Sequence, residues 1–361
     1  MSVIKTFQPI NTAVIGFGIS ARVFHLPFLT TLPQYSVITI LERSKSDSKT
    51  LYPDATIVRS LEAILADPAI ELIVITTPNE THFPYAKKAL EAGKHVVVEK
   101  PFTNTSDEAR ILVDLAASNK NMLSVYQNRR YVSDHLTIKE ILQQQLLGPV
   151  HECFAHYDRY RSEARPDAWR EKVLPGSGIL YDLGAHLIDQ ACCFFGLPFF
   201  ITADVQQQRP HAQVDDYFMI RFDYPKLKVH LHAGMLVREP GPRYAIHGWN
   251  GSFIKYGEDP QEAALRAGQL PSGDEWGEEK EMHHGQLHTE KDGIIINKKY
   301  PSLKGNYAQY YINLYDSIRN GAPVLEKPEH GFNTIRLIEL AFESSAKQCT
   351  LPVEGLIEVE Y

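Results

Sequence analysis

Residues 12–21 read Thr-Ala-Val-Ile-Gly-Phe-Gly-Ile-Ser-Ala, an apolar run that breaks on Gly16 and Gly18 and resumes as a helical pattern at Ala21. Each small residue has a reason to be small. Gly16 permits a tight turn off a strand, Gly18 lets the backbone approach a pyrophosphate, and Ala21 lets the following helix pack close to the strand. The amides of Ile19, Ser20 and Ala21 at the helix start, together with its positive dipole end, suit phosphate oxygens. Glycines at strand–helix turns are common. The strand–turn–helix setting puts dinucleotide binding ahead of a plain structural turn.

Working outward, short apolar runs alternate with helical patterns. Strands are expected at Thr12–Phe17, Ser36–Glu42, Glu71–Thr76, His95–Glu99 and Met122–Tyr126, with helices at Ala21–Thr31, Ser60–Ala66, Phe83–Glu91 and Ser106–Asn119. Val and Ile runs without polar alternation mark strands buried on both faces, hence a parallel sheet covered by helices. Right-handed crossovers make residues 1–126 a doubly wound α/β domain of the Rossmann kind, with its site at the carboxyl ends of the strands.

Residues 127–361 read as an α+β domain with a large, open, mostly antiparallel sheet. A helix at Asp134–Leu147 ends on Gly148-Pro149, and strands are expected at His151–Arg159, Ile201–Gln207, Tyr217–Phe222, Lys228–Leu236, Arg243–Gly248 and Ser252–Tyr256. In Lys228–Met235, Val229, Leu231, Ala233 and Met235 share one face while Lys228, His230 and His232 share the other, so one side packs on a core and the other meets water or another subunit. Helices at Ile179–Phe195, Tyr307–Asn320 and His330–Lys347 are expected to cover the inner face, and Gln269–Gly285 to form a surface loop.

Composition narrows the function classes. With 361 residues, 43% hydrophobic and 22% charged, the chain is long enough for two globular domains and is not disordered. A formal net charge of −7 and no basic block argue against a nucleic-acid partner. No segment is apolar enough to span a bilayer, and the N-terminus lacks the long apolar run of an export signal. The four cysteines, Cys153, Cys192, Cys193 and Cys349, form neither a CxxC pair nor a disulfide framework. A reduced, cytoplasmic protein is the expectation.

Further chemistry clusters at the expected carboxyl edge. Glu42 ends the second strand, where a carboxylate can accept from the adenosine ribose hydroxyl and repel a 2′-phosphate; Arg43 follows and can pair with that phosphate. The two pull in opposite directions, and Glu42 tips the reading from NADP towards NAD. Thr76, Pro78, Asn79 and His82 leave the third strand in a loop placed to run along the ribose and nicotinamide, although Asn79 or Thr81 as a helix cap is equally good. Glu99-Lys100-Pro101 ends a strand that is otherwise Val-Val-Val, an expensive place for a charge unless it serves a site. Asp182 and His186 are i,i+4 on a helix, so the carboxylate can orient the imidazole as a general base requires. Asp189 suits a structural role. His230 with His232, and His283-His284, each lack a third ligand, so no metal site is expected.

In this order and spacing, the glycine turn, Thr-Thr-Pro-Asn at 76–79 with His82, Glu99-Lys100-Pro101, and Tyr181-Asp182 with Gly184, His186 and Asp189 resemble the Gfo/Idh/MocA oxidoreductases over essentially the whole chain. Residues 21–27, 127–130 and 158–161 are similar to the branch that includes scyllo-inositol dehydrogenases. The resemblance implies an NAD(P)-dependent dehydrogenase acting on a carbinol of a sugar, inositol or related polyol. Lys100, Asp182 and His186 would be its catalytic trio, with a cis bond before Pro101. Asn128 would sit by the cofactor, and Arg129, Arg159, Arg161, Trp169 and Arg170 would line a polyol pocket at the domain junction. A homodimer or homotetramer is implied. Two further classes use the same fold: a glycoside hydrolase that retains its NAD, and a ligand-sensing regulator, which the intact motifs disfavour.

Overall fold

The computed structural model describes residues 8–164 and 171–361; the expected pocket residues Trp169 and Arg170 lie outside them. Six strands, β1 (Ile10–Ile15), β2 (Tyr35–Leu41), β3 (Thr56–Val58), β4 (Leu72–Ile75), β5 (His95–Val98) and β6 (Leu123–Val125), form a sheet in the order 3-2-1-4-5-6. All five of its pairings are parallel. The Val/Ile runs are buried on both faces, as expected. Ile15, Ile73, Ile75, Val96 and Val98 point into one core, and Val14, Leu72, Val74 and Val97 into another. The short edge strand β3 escaped the sequence reading because its three residues carry too little apolar pattern.

The second sheet has nine strands: β7 (Val150–His156), β8 (Phe200–Gln206), β9 (Tyr217–Asp223), β10 (Lys228–Gly234), β11 (Tyr244–Gly248), β12 (Gly251–Lys255), β13 (Gly285–Lys291), β14 (Ile294–Tyr300) and β15 (Leu351–Pro352). Their order is 14-13-12-11-7-10-9-8-15. The β7–β10 pair is parallel; the others are antiparallel. The alternation read in β10 holds: Val229, Leu231 and Ala233 are fully buried, while Lys228 is exposed and His230 and His232 half-buried.

Two expectations need correcting. The β13–β14 hairpin was missed, although its turn, Asp292-Gly293 with both residues at positive φ, is a strong two-residue hairpin signal. The helix Ala308–Asn320 does not cover the second sheet. Its Tyr310, Tyr311, Leu314 and Tyr315 pack into the first core with Ile10, Val14 and Tyr35, and Arg319 pairs with Glu71 beside β4. A tyrosine-rich apolar face marks a buried helix side without saying which sheet receives it. Helix Pro328–Lys347 joins the two halves. Its Phe332, Ile335, Leu337 and Ile338 belong to the core that also holds Val98 and Val125 of the first sheet and Ile201 and Ile220 of the second.

At this junction Arg130 makes a two-point ion pair with Asp189, at 2.6 and 2.8 Å, which gives Asp189 the structural role expected of it. Nearby, Glu326 accepts from the Tyr131 hydroxyl at 2.7 Å. Burial pushes the Glu326 carboxyl up to about 7, against the lowering by Arg130 and Tyr131. A carboxyl whose folded pKa is raised contributes stability that is full below its unfolded value and lost as pH rises through the folded one. Glu326→Gln keeps a neutral acceptor for Tyr131. Its melting temperature, relative to the parent's, should therefore rise between pH 5 and pH 8; equal differences at both pH values contradict the assignment.

Candidate active site

A cleft of about 450 Å³ runs between the carboxyl ends of the first sheet and the second sheet. Gly18, Ile19, Ser20, Thr76, Pro78, Asn79, His82, Glu99, Lys100 and Asn128 line it from one side, and Arg129, Arg159, Arg161, Asp182 and His186 complete it. Most of the residues singled out in the sequence are thus brought to one place. Gly16 has φ +96°, and a Cβ there would crowd the Thr76 and Thr77 side chains at 3.1 Å. Gly18 is different: a Cβ on it would meet nothing within 4 Å, so its backbone lies open to the cleft. The helical turns begin immediately after it, with the Arg22 amide donating to the Gly18 carbonyl. The amides ahead of Arg22 are those that a helix leaves without internal acceptors. Ala21 is fully buried against the strand.

Beneath this turn lies the Glu99 carboxylate. One oxygen accepts from the Ser20 hydroxyl and, at 3.0 Å, from His25 Nε2; the other accepts from the Lys100 amide at 2.9 Å. A carboxylate can only accept, so the proton sits on Nε2, and His25 Nδ1 takes the Tyr311 hydroxyl at 2.6 Å. Burial works to raise the Glu99 pKa, yet His25, Ser20 and Lys100 together hold it down at about 2. His82 ties the neighbouring loops together, its ring nitrogens 2.8 Å from the Pro101 carbonyl and 2.9 Å from that of Thr77. The Lys100–Pro101 bond is cis, as the resemblance implied.

Asp182 and His186 stand at the change from a π-helical segment, Leu180–Gly184, to the α-helix Ala185–Phe195. The wider turn changes the i,i+4 stacking assumed from sequence. The Asp182 carboxylate takes Lys100 Nζ at 2.8 Å, and the Asp182 carbonyl takes the same ammonium at 2.7 Å. His186 Nδ1 is buried with no hydrogen-bond partner among the described residues. The expected Asp182–His186 orientation is replaced by an Asp182–Lys100 pair. Burial, then the charges of Lys100 and Arg129, depresses the His186 pKa well below the ordinary imidazole value, so its ring is neutral at pH 7.

Glu42 also departs from expectation. Its carboxylate accepts from the amides of Asp47 (3.1 Å) and Ser48 (2.9 Å) and from the Ser48 hydroxyl. It holds its own loop and is largely buried. Arg43 beside it is exposed. Sequence reasoning missed Phe24, Tyr157, Glu262 and Arg266 in the cleft wall. Glu262 takes Arg129 and, at 2.8 Å, Arg266. The helix Gln261–Arg266 that carries both was announced by an i,i+4 Glu–Arg pair ahead of Gly268, a signal of helix and stop.

This arrangement is that of an oxidoreductase: a glycine turn at the carboxyl edge of a Rossmann sheet with Lys100 beside it, and a neutral histidine across the cleft. Family models agree, the "Oxidoreductase family, NAD-binding Rossmann fold" over residues 10–127 and the "Oxidoreductase family, C-terminal alpha/beta domain" over residues 139–354. The chain belongs to the Gfo/Idh/MocA family and is an NAD(P)-dependent dehydrogenase acting on CH–OH groups. It is 43% identical to scyllo-inositol 2-dehydrogenase (NADP(+)) IolW of Bacillus subtilis over 97% of this chain and 98% of that protein. The structure of the oxidoreductase yvaA from Bacillus subtilis matches with a TM-score of 0.94 at 42% identity, covering 97% of this chain and 100% of that one. An oxidoreductase from Bacteroides fragilis matches at 0.89 and 44%, covering 96% and 100%.

The segment ahead of Asp182 depends on one glycine. Gly178 has φ +93°, and a Cβ on it would stand 1.9 Å from Asp215 Oδ1. That same Asp215 caps the helix, its carboxylate accepting the Leu180 amide at 2.7 Å and its carbonyl the Ile179 amide at 3.0 Å. Gly178→Ala should lower stability by about 1–3 kcal/mol and displace Asp182 and His186. Urea unfolding and turnover measure the two effects, and an unchanged midpoint with full turnover contradicts the account.

Proposed function

We propose that the chain is an NADP-dependent dehydrogenase of a ring or chain carbinol of an inositol, sugar or related polyol, residues 1–126 holding the dinucleotide and residues 127–361 the substrate. The observation that carries this reading is Lys100 facing the helix of Asp182 and His186 across the mouth of the glycine turn. The dinucleotide is held by the amides at Gly18–Ala21, with Thr76, Pro78, Asn79 and Asn128 along the cleft wall. When bound, it supplies the hydride acceptor or donor. The Lys100 ammonium has three donors, two of which go to Asp182. The third is left for the substrate oxygen, whose negative charge it stabilises. His186, neutral and desolvated, takes the hydroxyl proton. Asp182 sets the position of Lys100. Arg129, Arg159 and Arg161 offer donors to the remaining hydroxyls.

A panel of inositols, aldoses and lactones, followed by absorbance of the reduced nicotinamide, tests the substrate class; release of an aglycone without net reduction would instead favour the hydrolase reading. On the substrate found, Lys100→Met and His186→Asn should each lose about 10²–10⁴-fold in turnover while the dinucleotide dissociation constant stays within a few-fold. Full turnover in both sinks the mechanism.

NADP is favoured because Glu42 is occupied by Asp47 and Ser48, leaving Arg43 as the exposed charge at the strand end. A guanidinium–phosphate contact worth about 1.5–3 kcal/mol corresponds to one to two decades. Arg43→Ala should weaken NADP by that much and leave NAD unchanged in calorimetric titrations; an equal effect on both cofactors contradicts the assignment. Homo-oligomerisation through the outer face of the second sheet is supported by the exposed Phe200 and Met219 on it. A cytoplasmic location is supported by free thiols at all four cysteines.

A further inference from the structure

The sequence pairs His232 with His230, its neighbour on the outer face of β10, and stops at two ligands. The fold supplies different company. His156, the last residue of β7, lies directly opposite His232 in the parallel register of β7 and β10. The chain continues alongside β10 beyond the end of β7, with the Tyr157 amide on the His232 carbonyl and the Arg159 amide on the Gly234 carbonyl, both at 2.9 Å. Strand alternation therefore turns Tyr157 and Arg159 into the cleft and leaves His156 and Asp158 on the other side, beside His232.

The three side chains converge. Asp158 Oδ1 stands 2.7 Å from His232 Nδ1, and Asp158 Oδ2 stands 3.3 Å from His156 Nδ1. The imidazole rings are 5.2 Å apart, and Tyr217 packs edge-on against His232 at 5.3 Å. One donor atom from each residue lies within 4.8 Å of the others. The carboxylate is largely shielded, with 6% of its side chain exposed, whereas His156 and His232 keep 27% and 19%. The group is thus fixed at its base, with both rings partly exposed on the outer face of the sheet in the single chain, beside the Met219 of the proposed subunit contact.

We propose that His156, Asp158 and His232 form a binding site for a divalent transition-metal ion such as zinc. Two imidazoles and one carboxylate are a ligand set for borderline cations and a poor one for calcium or magnesium, which take oxygen. Donor atoms around a tetrahedral zinc stand about 3.3–3.5 Å apart, from metal–ligand bonds near 2.0–2.1 Å. The observed spread closes to that by side-chain rotation. The ion takes the place of the hydrogens between the Nδ1 atoms and the carboxylate, each neutral ring carrying its proton on Nε2 instead. Water or a donor from another molecule fills the remaining coordination positions. The site lies on the reverse of the segment that bears Tyr157 and Arg159, and it is separate from the chemistry of Lys100 and His186.

The test uses the full-length chain without a polyhistidine tag, stripped with chelator. Cobalt(II) should produce visible absorption bands that saturate at one equivalent per chain and are bleached by zinc, and zinc should raise the melting temperature. His232→Gln and Asp158→Asn should each weaken zinc at least tenfold and abolish the zinc-dependent rise in melting temperature. The double variant His283→Gln/His284→Gln should behave as the parent. His156→Gln, a milder change at the more exposed ring, provides the same readout if Asp158→Asn melts early. Absence of saturable binding in the parent, undiminished affinity in His232→Gln and His156→Gln, or loss of binding in the His283/His284 variant overturns the proposal.

Discussion

A single buried carboxylate, Glu99, holds together the parts on which the cleft depends. It reaches the turn after β1 through Ser20, the first helix through His25, and its own successor through the Lys100 amide. An uncompensated charge at this depth would be costly. With three donors converging on it, the acid is instead held ionised, its pKa near 2. The glycine turn and Lys100 thus share one anchor. His25 extends that anchor to Tyr311, on a helix some 290 residues further along the chain.

The Rossmann half was legible because its determinants are local. A strand, a glycine turn and a helix follow one another within twenty residues, and Val/Ile runs announce burial on both faces. Lys100 stood out for the same reason: a charge at the end of Val-Val-Val is costly wherever it folds. Asp182 and His186 were legible as a pair, but not their partners. Whether Asp182 turns to His186 or to Lys100 is decided by a π turn and by the approach of a second domain, and neither leaves a mark in i,i+4 spacing. The loop partners of Glu42 were hidden for a related reason. A carboxylate at a strand end suits a ribose hydroxyl, yet the amides five and six residues later took it first.

The cleft is rich in cations, and three of them are held by carboxylates of the cleft itself. Lys100 faces Asp182, and both Arg129 and Arg266 face Glu262. Such pairing fixes the long side chains before a ligand arrives, so less rotamer entropy remains to be lost on binding. The two π-helical segments among the described residues, Ala21–His25 and Leu180–Gly184, sit beside this cleft, one on either side of the domain junction. An inserted turn of this kind re-aims the residues after it without breaking the helix.

The helix Ala308–Asn320 gives the chain a topology that its motif map conceals. The nucleotide-binding half closes only when a segment translated after nearly the whole second sheet returns to pack on Ile10, Val14 and Tyr35 and to set Arg319 against Glu71. A ribosome-bound chain that has emerged only as far as β6 therefore leaves part of one side of its parallel sheet uncovered. Recombination between relatives meets the same boundary: a graft of the first half carries its intended surface only when residues 308–320 travel with it.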